Sequence, residues 1–364
     1  MATDTVMVKG ASRGRPPVQN RRIVAELRRD VLRGVLLPGG QLPVRTELLT
    51  RFGVSNATLQ AAIDQLRKEG LLRVAGTRGT FVEATLPHLH DVALVVIPGI
   101  EKTMFAKALS LAAGQLASKH GFRIREYSID VTHVHRAELE RLCDDTVNHR
   151  FSAMIFWGDM EALRGTPILM EPGIDRIVIE GTAELRAGEL PKVQLDLHSA
   201  RRRAIEYLQQ RGRNRIAHIG FASMIANPVV IERQLRQWQP NLRPYWLQLI
   251  PECEPALRCV ATNIVSLLMH LEGENRPDAL VIHDDNLVVY AVAGLLSAGT
   301  AVPRELELVA HTNFPLLANS PLPLKRIGFD CHAIMAECIK LIEQLRAQEE
   351  VADPAPMMAV FENE

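Results

Sequence analysis

No stretch of this sequence is apolar for long enough to cross a bilayer. The first apolar run, Val92 to Ile100, falls far short of the roughly 20 residues a spanning helix needs, and the start of the chain lacks the layout of a signal peptide. Cytoplasmic residence without a membrane partner is the expectation. Cysteine is sparse. Cys143, Cys253, Cys259, Cys331 and Cys338 form no CxxC pair, and an odd number suits free thiols in a reducing compartment better than a disulfide framework. P-loop and GxGxxG sequences are missing, so catalysis has no convincing motif behind it and no cofactor is expected. The HxH pairs His88/His90 and His133/His135 have no third ligand at convincing spacing, so no metal site is expected either. Net charge is absent too, since 42 Lys and Arg balance 42 Asp and Glu.

What is present is length and an uneven distribution of charge. The 364 residues exceed what one core organises, and 47% hydrophobic with 23% charged residues is ordinary for a folded, water-soluble chain, so two or more packed units are expected. Residues 1–85 hold 14 Lys and Arg against 7 Asp and Glu, while the rest hold 28 against 35. A basic head on an acidic body points to a polyanionic partner for the head alone; a solvated basic tail is the plainer alternative.

Residues 1–18 are polar and rich in breakers, from Lys9 and Gly10 to Pro16 and Pro17, and read as a mobile arm. From Arg21 onward Ile23, Leu27 and Val31 recur at helical spacing as far as Gly34. After the Pro38-Gly39-Gly40 turn, a short helix spans Arg45 to Phe52 and stops at Gly53, and Ser55 caps a third helix whose stripe is Leu59, Ala62, Ile63 and Leu66. Two β-type runs, Leu71–Val74 and Thr80–Val82, flank the tip Ala75-Gly76-Thr77-Arg78-Gly79 as a hairpin. Helix-turn-helix followed by hairpin predicts a winged helix.

From Asp91 the pattern becomes strand then helix, repeated. Strands are predicted near 92–97, 122–128, 153–157, 176–179, 192–195, 215–219, 245–250, 279–283 and 307–311, with helices over 105–120, 136–150, 199–210, 228–238, 256–271 and 286–298. Such alternation means parallel sheets covered on both faces, and this many strands suggest two doubly wound lobes with a ligand cleft at the strand ends. The fold class is therefore α/β, an N-terminal winged helix-turn-helix followed by two lobes of doubly wound parallel sheet.

Two resemblances are carried by these segments. Gly39-Gly40-Gln41-Leu42-Pro43, Phe52-Gly53-Val54-Ser55-Asn56-Ala57-Thr58, Leu66-Arg67-Lys68-Glu69-Gly70-Leu71-Leu72 and Arg78-Gly79-Thr80-Phe81-Val82 resemble, in order and spacing, the GntR-type winged helix. Val193-Gln194-Leu195-Asp196, the run from Arg211 to Gly220, Arg276-Pro277-Asp278-Ala279-Leu280-Val281 with Asp284-Asp285, and Ser297 to Pro303 are similar to the periplasmic-binding-protein-like domain of LacI-type repressors. The pairing resembles the arabinose-responsive repressors. It implies an arm (1–18), a winged helix (19–86), a linker (87–90), an effector-binding and dimerisation domain (91–350) and a tail (351–364).

The resemblance implies a DNA-binding transcription regulator, a homodimeric repressor with a double-stranded operator as one partner and a small sugar or sugar acid as the other. Its DNA-facing residues are Arg45, Thr46, Ser55, Asn56, Thr58, Gln60, Thr77, Arg78, Gly79 and Thr80. The family usually carries arginine where Asn56, Gln60 and Thr46 stand. Asn and Gln pair bidentately with adenine, so an operator read less through guanine is expected; solvated helix residues are the alternative. In the lobes the resemblance points to Arg233 and Asp285, with Phe105, Trp157 and Asp196 as further cleft residues, while Thr312-Asn313 replaces an aspartate often found there. A helix N-cap is the competing role for Asp285, and core packing or a strand-end turn for the other three. Two readings stay open beside the repressor: a small-molecule binder with degenerate DNA reading, and a regulator with an unliganded cleft.

Overall fold

The computed structural model describes residues 18–364 apart from 33, 85, 87–89, 98–102, 130–135, 159, 182–189, 223–227, 251–257, 348 and 350. The arm, all but residue 18, and most of the linker lie outside the described residues.

In the head, α1 (Val18–Leu32) buries Ile23, Val24, Leu27 and Val31 along one stripe. α2 (Arg45–Phe52) ends at Gly53, whose φ of 64° is open to glycine at little steric cost. α3 (Asn56–Lys68) starts where Ser55 Oγ accepts from the Thr58 amide at 3.3 Å, and it buries Leu59, Ala62, Ile63 and Leu66 against the other two helices. Arg28 forks onto Glu69, with Nη2 2.6 Å from Oε2, and ties α1 to the end of α3. β1 (Leu72–Val74) pairs antiparallel with β2 (Thr80–Val82), Leu72 opposite Val82. Residues 40–42 flank β2, because the Leu42 amide donates to Thr80 and the Val82 amide to Gly40, both at 2.8 Å.

Lobe 1 follows with β3 (Asp91–Val96), α4 (Met104–His120), β4 (Arg123–Ser128), α5 (Arg136–Val147), β5 (Ala153–Trp157), α6 (Pro167–Met170), β6 (Asp175–Glu180) and β7 (Lys192–Asp196). The chain then enters lobe 2 through α7 (Leu197–Gln210), β8 (Ile216–Phe221), α8 (Pro228–Trp238), β9 (Leu247–Ile250), α9 (Val260–Met269), β10 (Ala279–Ile282), α10 (Val288–Ser297), β11 (Glu307–Phe314) and β12 (Lys325–Asp330). β3, β8 and β10 are buried along their whole length, as strands covered on both faces must be.

The C-terminal part differs from the sequence reading. α11 (Cys331–Arg346) returns to lobe 1 and packs on α4 and β6. β13 (Met357–Met358) then adds to β7, and β14 (Val360–Phe361) pairs antiparallel with β12 in lobe 2. Residues 351–364, set apart above as a tail, thus contribute to both sheets. Among the described residues the strand orders are β13-β7-β6-β5-β3-β4 in lobe 1 and β14-β12-β11-β10-β8-β9 in lobe 2. The backbone passes between lobes after Asp196, after Asp330 and at Ala359. Two predicted boundaries also moved. Pro244 opens a 3-10 turn, so β9 begins at Leu247, and a 3-10 turn over Asp285–Leu287 precedes α10.

Head and body meet in an ion pair: Arg29 Nε on α1 lies 3.6 Å from Glu171 Oε1 beside α6, and the same oxygen meets His149 Nε2 at 3.1 Å.

Candidate functional site

On the head, Asn56 and Gln60 lie one turn apart on α3, Asn56 exposed and Gln60 partly so. Arg45 Nε donates to Asn56 Oδ1 and Arg45 Nη2 reaches the Asn56 carbonyl at 3.4 Å, so the arginine and the amide act as one unit. Gln60 Nε2 donates to Asp64 Oδ1 at 3.1 Å, which leaves the Gln60 carbonyl as its open group. Thr58 meets the Ser55 hydroxyl at 2.9 Å and serves the cap, while Thr46 is exposed at the start of α2. At the wing tip Arg78 and Thr77 are exposed on a 3-10 turn. Gln41 Nε2 donates to the Arg78 carbonyl at 2.9 Å, and a Cβ on Gly79, whose φ is 110°, would stand 2.7 Å from that same nitrogen. Conformation favours glycine there, and a larger residue would also displace the Gln41 amide from the Arg78 carbonyl.

In the body, strands of both lobes end at a common cleft. On the lobe 1 side Phe105, in the first turn of α4, packs against Trp157 at the end of β5, with ring centroids 4.4 Å apart. The structure thus brings these two predicted residues together, and among the described residues the buried Trp157 Nε1 has no hydrogen-bond partner. Asp196 spends its Oδ1 on the amide of Ser199 at 2.8 Å, so its visible work is capping α7. Arg233 is exposed on α8 and is not among the residues enclosing the cavity described next.

Asp285 is buried, and the cap of this turn is its neighbour Asp284. Asp284 Oδ1 accepts from the Asn286 amide at 2.8 Å, whereas Asp285 Oδ2 accepts from Asn313 Nδ2 at 2.8 Å. Burial first, and the nearby Asp284 second, push the Asp285 carboxyl up to about 8, so it keeps its proton at neutral pH. Asn313, which stands where an aspartate was expected, is the side chain that holds it.

Three histidines that the sequence reading did not single out converge beside this pair. His218 is fully buried on β8, stacked on His283 with ring planes 7° apart. Gln239 Nε2 donates to the Ile216 carbonyl, so Gln239 Oε1 must accept from His218 Nε2 at 2.9 Å. His218 Nδ1 is then the bare nitrogen and accepts from His283 Nε2 at 3.1 Å, which leaves His283 Nδ1 without a proton. In the orientation seen here Asn313 Nδ2 donates to Asp285, so Asn313 Oδ1 accepts from His311 Nε2 at 3.2 Å and His311 Nδ1 is bare. Burial holds all three below their ordinary value, His218 at about 4, so all are neutral at pH 7. His283 and His311 line a cavity of about 20 Å3 with Leu197, Ala200, Arg201, Gly220 and Phe221. That is room for about one water, so a larger guest requires the lobes or side chains to shift.

No local signal could have announced this cluster, because its members come from separate strands, far apart in sequence. Arg201 reads as one more cation in the Arg201-Arg202-Arg203 run of an amphipathic helix. Among the described residues no group of three His, Cys, Asp or Glu is placed to hold a metal ion, and no helix is long and apolar enough to cross a membrane. His90 is exposed, and His88, His133 and His135 lie outside the described residues.

Comparison with known proteins matches the head to the bacterial regulatory proteins of the gntR family over residues 19–82. A periplasmic binding protein-like domain matches residues 205–359. The arabinose metabolism transcriptional repressor of Halalkalibacterium halodurans is 20% identical over 338 residues, 86% of this chain and 88% of that protein. Among solved structures, the transcriptional regulator CelR in complex with cellobiose aligns with TM-score 0.60 at 16% identity, covering 85% of this chain and 90% of that one. The Escherichia coli transcriptional repressor ascG aligns with TM-score 0.57 at 16% identity, covering 75% and 97%. The chain therefore joins a gntR-family DNA-binding domain to a periplasmic-binding-protein-like domain with the fold of LacI-type regulators, and it is homologous to an arabinose metabolism repressor.

Proposed function

We propose that the protein is a cytoplasmic, sequence-specific transcription regulator, a repressor whose hold on its operator is set by a small sugar or sugar acid bound between the lobes. The observation that carries this reading is the union in one chain of an amide-bearing recognition helix and a two-lobed domain whose cavity sets Arg201, His283 and His311 in an apolar wall. Asn56 and Gln60 meet base edges in the major groove, and Arg45, Thr46, Ser55 and Thr58 support them at the backbone. Thr77, Arg78, Gly79 and Thr80 form the wing, with Arg78 suited to the minor groove. In the cleft Phe105 and Trp157 offer an apolar platform for a sugar ring and Asp285 a hydrogen-bonding acid; Arg233 and Asp196 belong to its margin.

A homodimer completes the reading. Val260 and Leu267 on α9, and Val289 and Leu296 on α10, are each seven residues apart, and Leu267 is 69% exposed. They form an uncovered apolar face on lobe 2 that a second copy can bury, placing two heads on successive half-sites. Effector binding then changes the angle between lobes and with it the spacing of the heads.

The test is selection of genomic fragments from the source organism by the full chain at several salt concentrations. Enrichment of one palindromic sequence family supports the reading; a steep salt slope with no preferred sequence overturns it in favour of a small-molecule binder with degenerate DNA reading.

A further inference from the structure

Arg201 stands on the second turn of α7, lines the cleft cavity and, among the described residues, makes no hydrogen bond or ion pair. Several other partly buried arginines of the body are engaged. Arg176 donates to the carbonyls of Ile168, Ile174 and Glu171, Arg236 to Glu232 and the Leu242 carbonyl, and Arg326 to Glu362 and the Ala318 carbonyl. The acid that acts on Arg201, Asp196, is committed to the Ser199 amide. Burial lowers the guanidinium to about 10, which still leaves it charged at neutral pH. A sheltered cation whose neighbouring acid makes no ion pair with it among the described residues is costly, and a guest can supply the missing contact.

Among the described residues, no ionisable group in or beside this wall makes an ion pair with Arg201. His218, His283 and His311 are neutral, Asp285 is protonated, and Asp284 is taken up by the backbone and side-chain amides of Asn286. The bare Nδ1 atoms of His283 and His311 are acceptors in search of donors. We propose that the cleft selects a small hydroxylated anion, a polyol bearing a carboxylate or a phosphate, with the anionic group forked by Arg201 and hydroxyls donating to His283 and His311. The proposal rests on the reading of this cleft as the effector site. Guanidinium geometry suits both anions, since each offers two oxygens to the planar fork.

The experiment measures melting temperature and calorimetric binding of the full chain with gluconate, glucuronate and glucose 6-phosphate beside neutral glucose and sorbitol. At least one anion is expected to bind saturably while its neutral parent does not, with Arg201→Gln weakening it by at least about 30-fold and Arg201→Lys by less. A response confined to the two sugar acids assigns a carboxylate, and one confined to glucose 6-phosphate assigns a phosphate. Without ligand, Arg201→Met should melt no lower than the parent, because it relieves an unpaired charge; a lower melting temperature means a structural role and overturns the proposal. Equal binding of a neutral parent, or an anion indifferent to Arg201→Gln, also overturns it. Binding of glucose or sorbitol without any anion sinks the proposal while the effector reading stands, whereas silence of every probe removes both.

Discussion

The side-chain oxygen of Asn286, in lobe 2, accepts a 3.2 Å hydrogen bond from the backbone amide of Met104, the first residue of α4 in lobe 1. Asn286 is itself pinned, since its Nδ2 donates to Asp284 Oδ1 at 2.7 Å. An amide in the first turn of a helix has no partner within the helix, so this bond supplies from the opposite lobe what α4 lacks. Asn286→Ala should therefore loosen this contact between the lobes by about 1 kcal/mol, and hydrogen exchange at the Met104 amide should quicken about fivefold. Unchanged exchange would show that the contact does not hold the lobes.

Asp285 and His218 give stability opposite dependences on pH. Asp285 has a folded value of about 8 against 3.8 when exposed, so between those values the folded state holds the extra proton and stability falls as pH rises. Asp285→Asn should consequently gain on the parent by on the order of 1 kcal/mol or more in urea melts at pH 8, and by little at pH 4. A constant difference across that range would mean the carboxyl is ionised in the fold.

His218 works the other way. Its folded value of about 4 lies below the ordinary 6.5, so the unfolded chain binds the proton first and stability is lost as pH falls from 6.5 towards 4. The loss is up to about 3 kcal/mol, to which His283 adds with the same sign. His218→Gln, which keeps a donor for Gln239, should flatten the acid limb of a calorimetric pH series; an unchanged limb would place the titrating groups elsewhere.

The head offers a contrast between charge and code. Arg78→Ala should weaken binding to all duplexes alike and reduce the salt slope by about 1, whereas Asn56→Ala should cost about 1–3 kcal/mol on the operator only. Anisotropy titrations on operator and scrambled duplexes at several salt concentrations separate the two. Equal losses on both duplexes for Asn56→Ala would make it a backbone contact.

For the apolar face of lobe 2, the double change Leu267→Glu and Leu296→Glu should leave the melting temperature near that of the parent and shift sedimentation to the monomer. A parent that sediments as a monomer would remove the dimer from the mechanism.

Much of the fold was legible because its signals are local. Ser55, Gly53 and the stripe Leu59, Ala62, Ile63, Leu66 give α3 its start, its preceding turn and its buried face within a dozen residues. β13 and β14 were not legible, because two-residue strands carry no alternation and exist only through pairing with Leu195, Asp196, Ile327 and Gly328. α11 had a readable stripe in Ile334, Cys338 and Ile342, but its place in lobe 1 depends on the return crossing. Phe105, Trp157 and Asp285 came from family position, and the first two pack against each other. His218, His283 and Arg201 did not, since a histidine in an apolar strand reads as core and an arginine in an arginine run reads as solvent-facing.

The three crossings after Asp196, after Asp330 and at Ala359 also limit how the body can move. Ala359 is clamped on both sides, its amide donating to Ser199 Oγ at 3.3 Å and its carbonyl accepting from Arg203 Nη1. With three tethers side by side, sliding one lobe past the other or twisting it about the long axis would stretch at least one of them, whereas rocking about a line through all three costs only small torsion changes. The freedom left is a single bending coordinate, and whatever occupies the cleft acts along it like a wedge in a door.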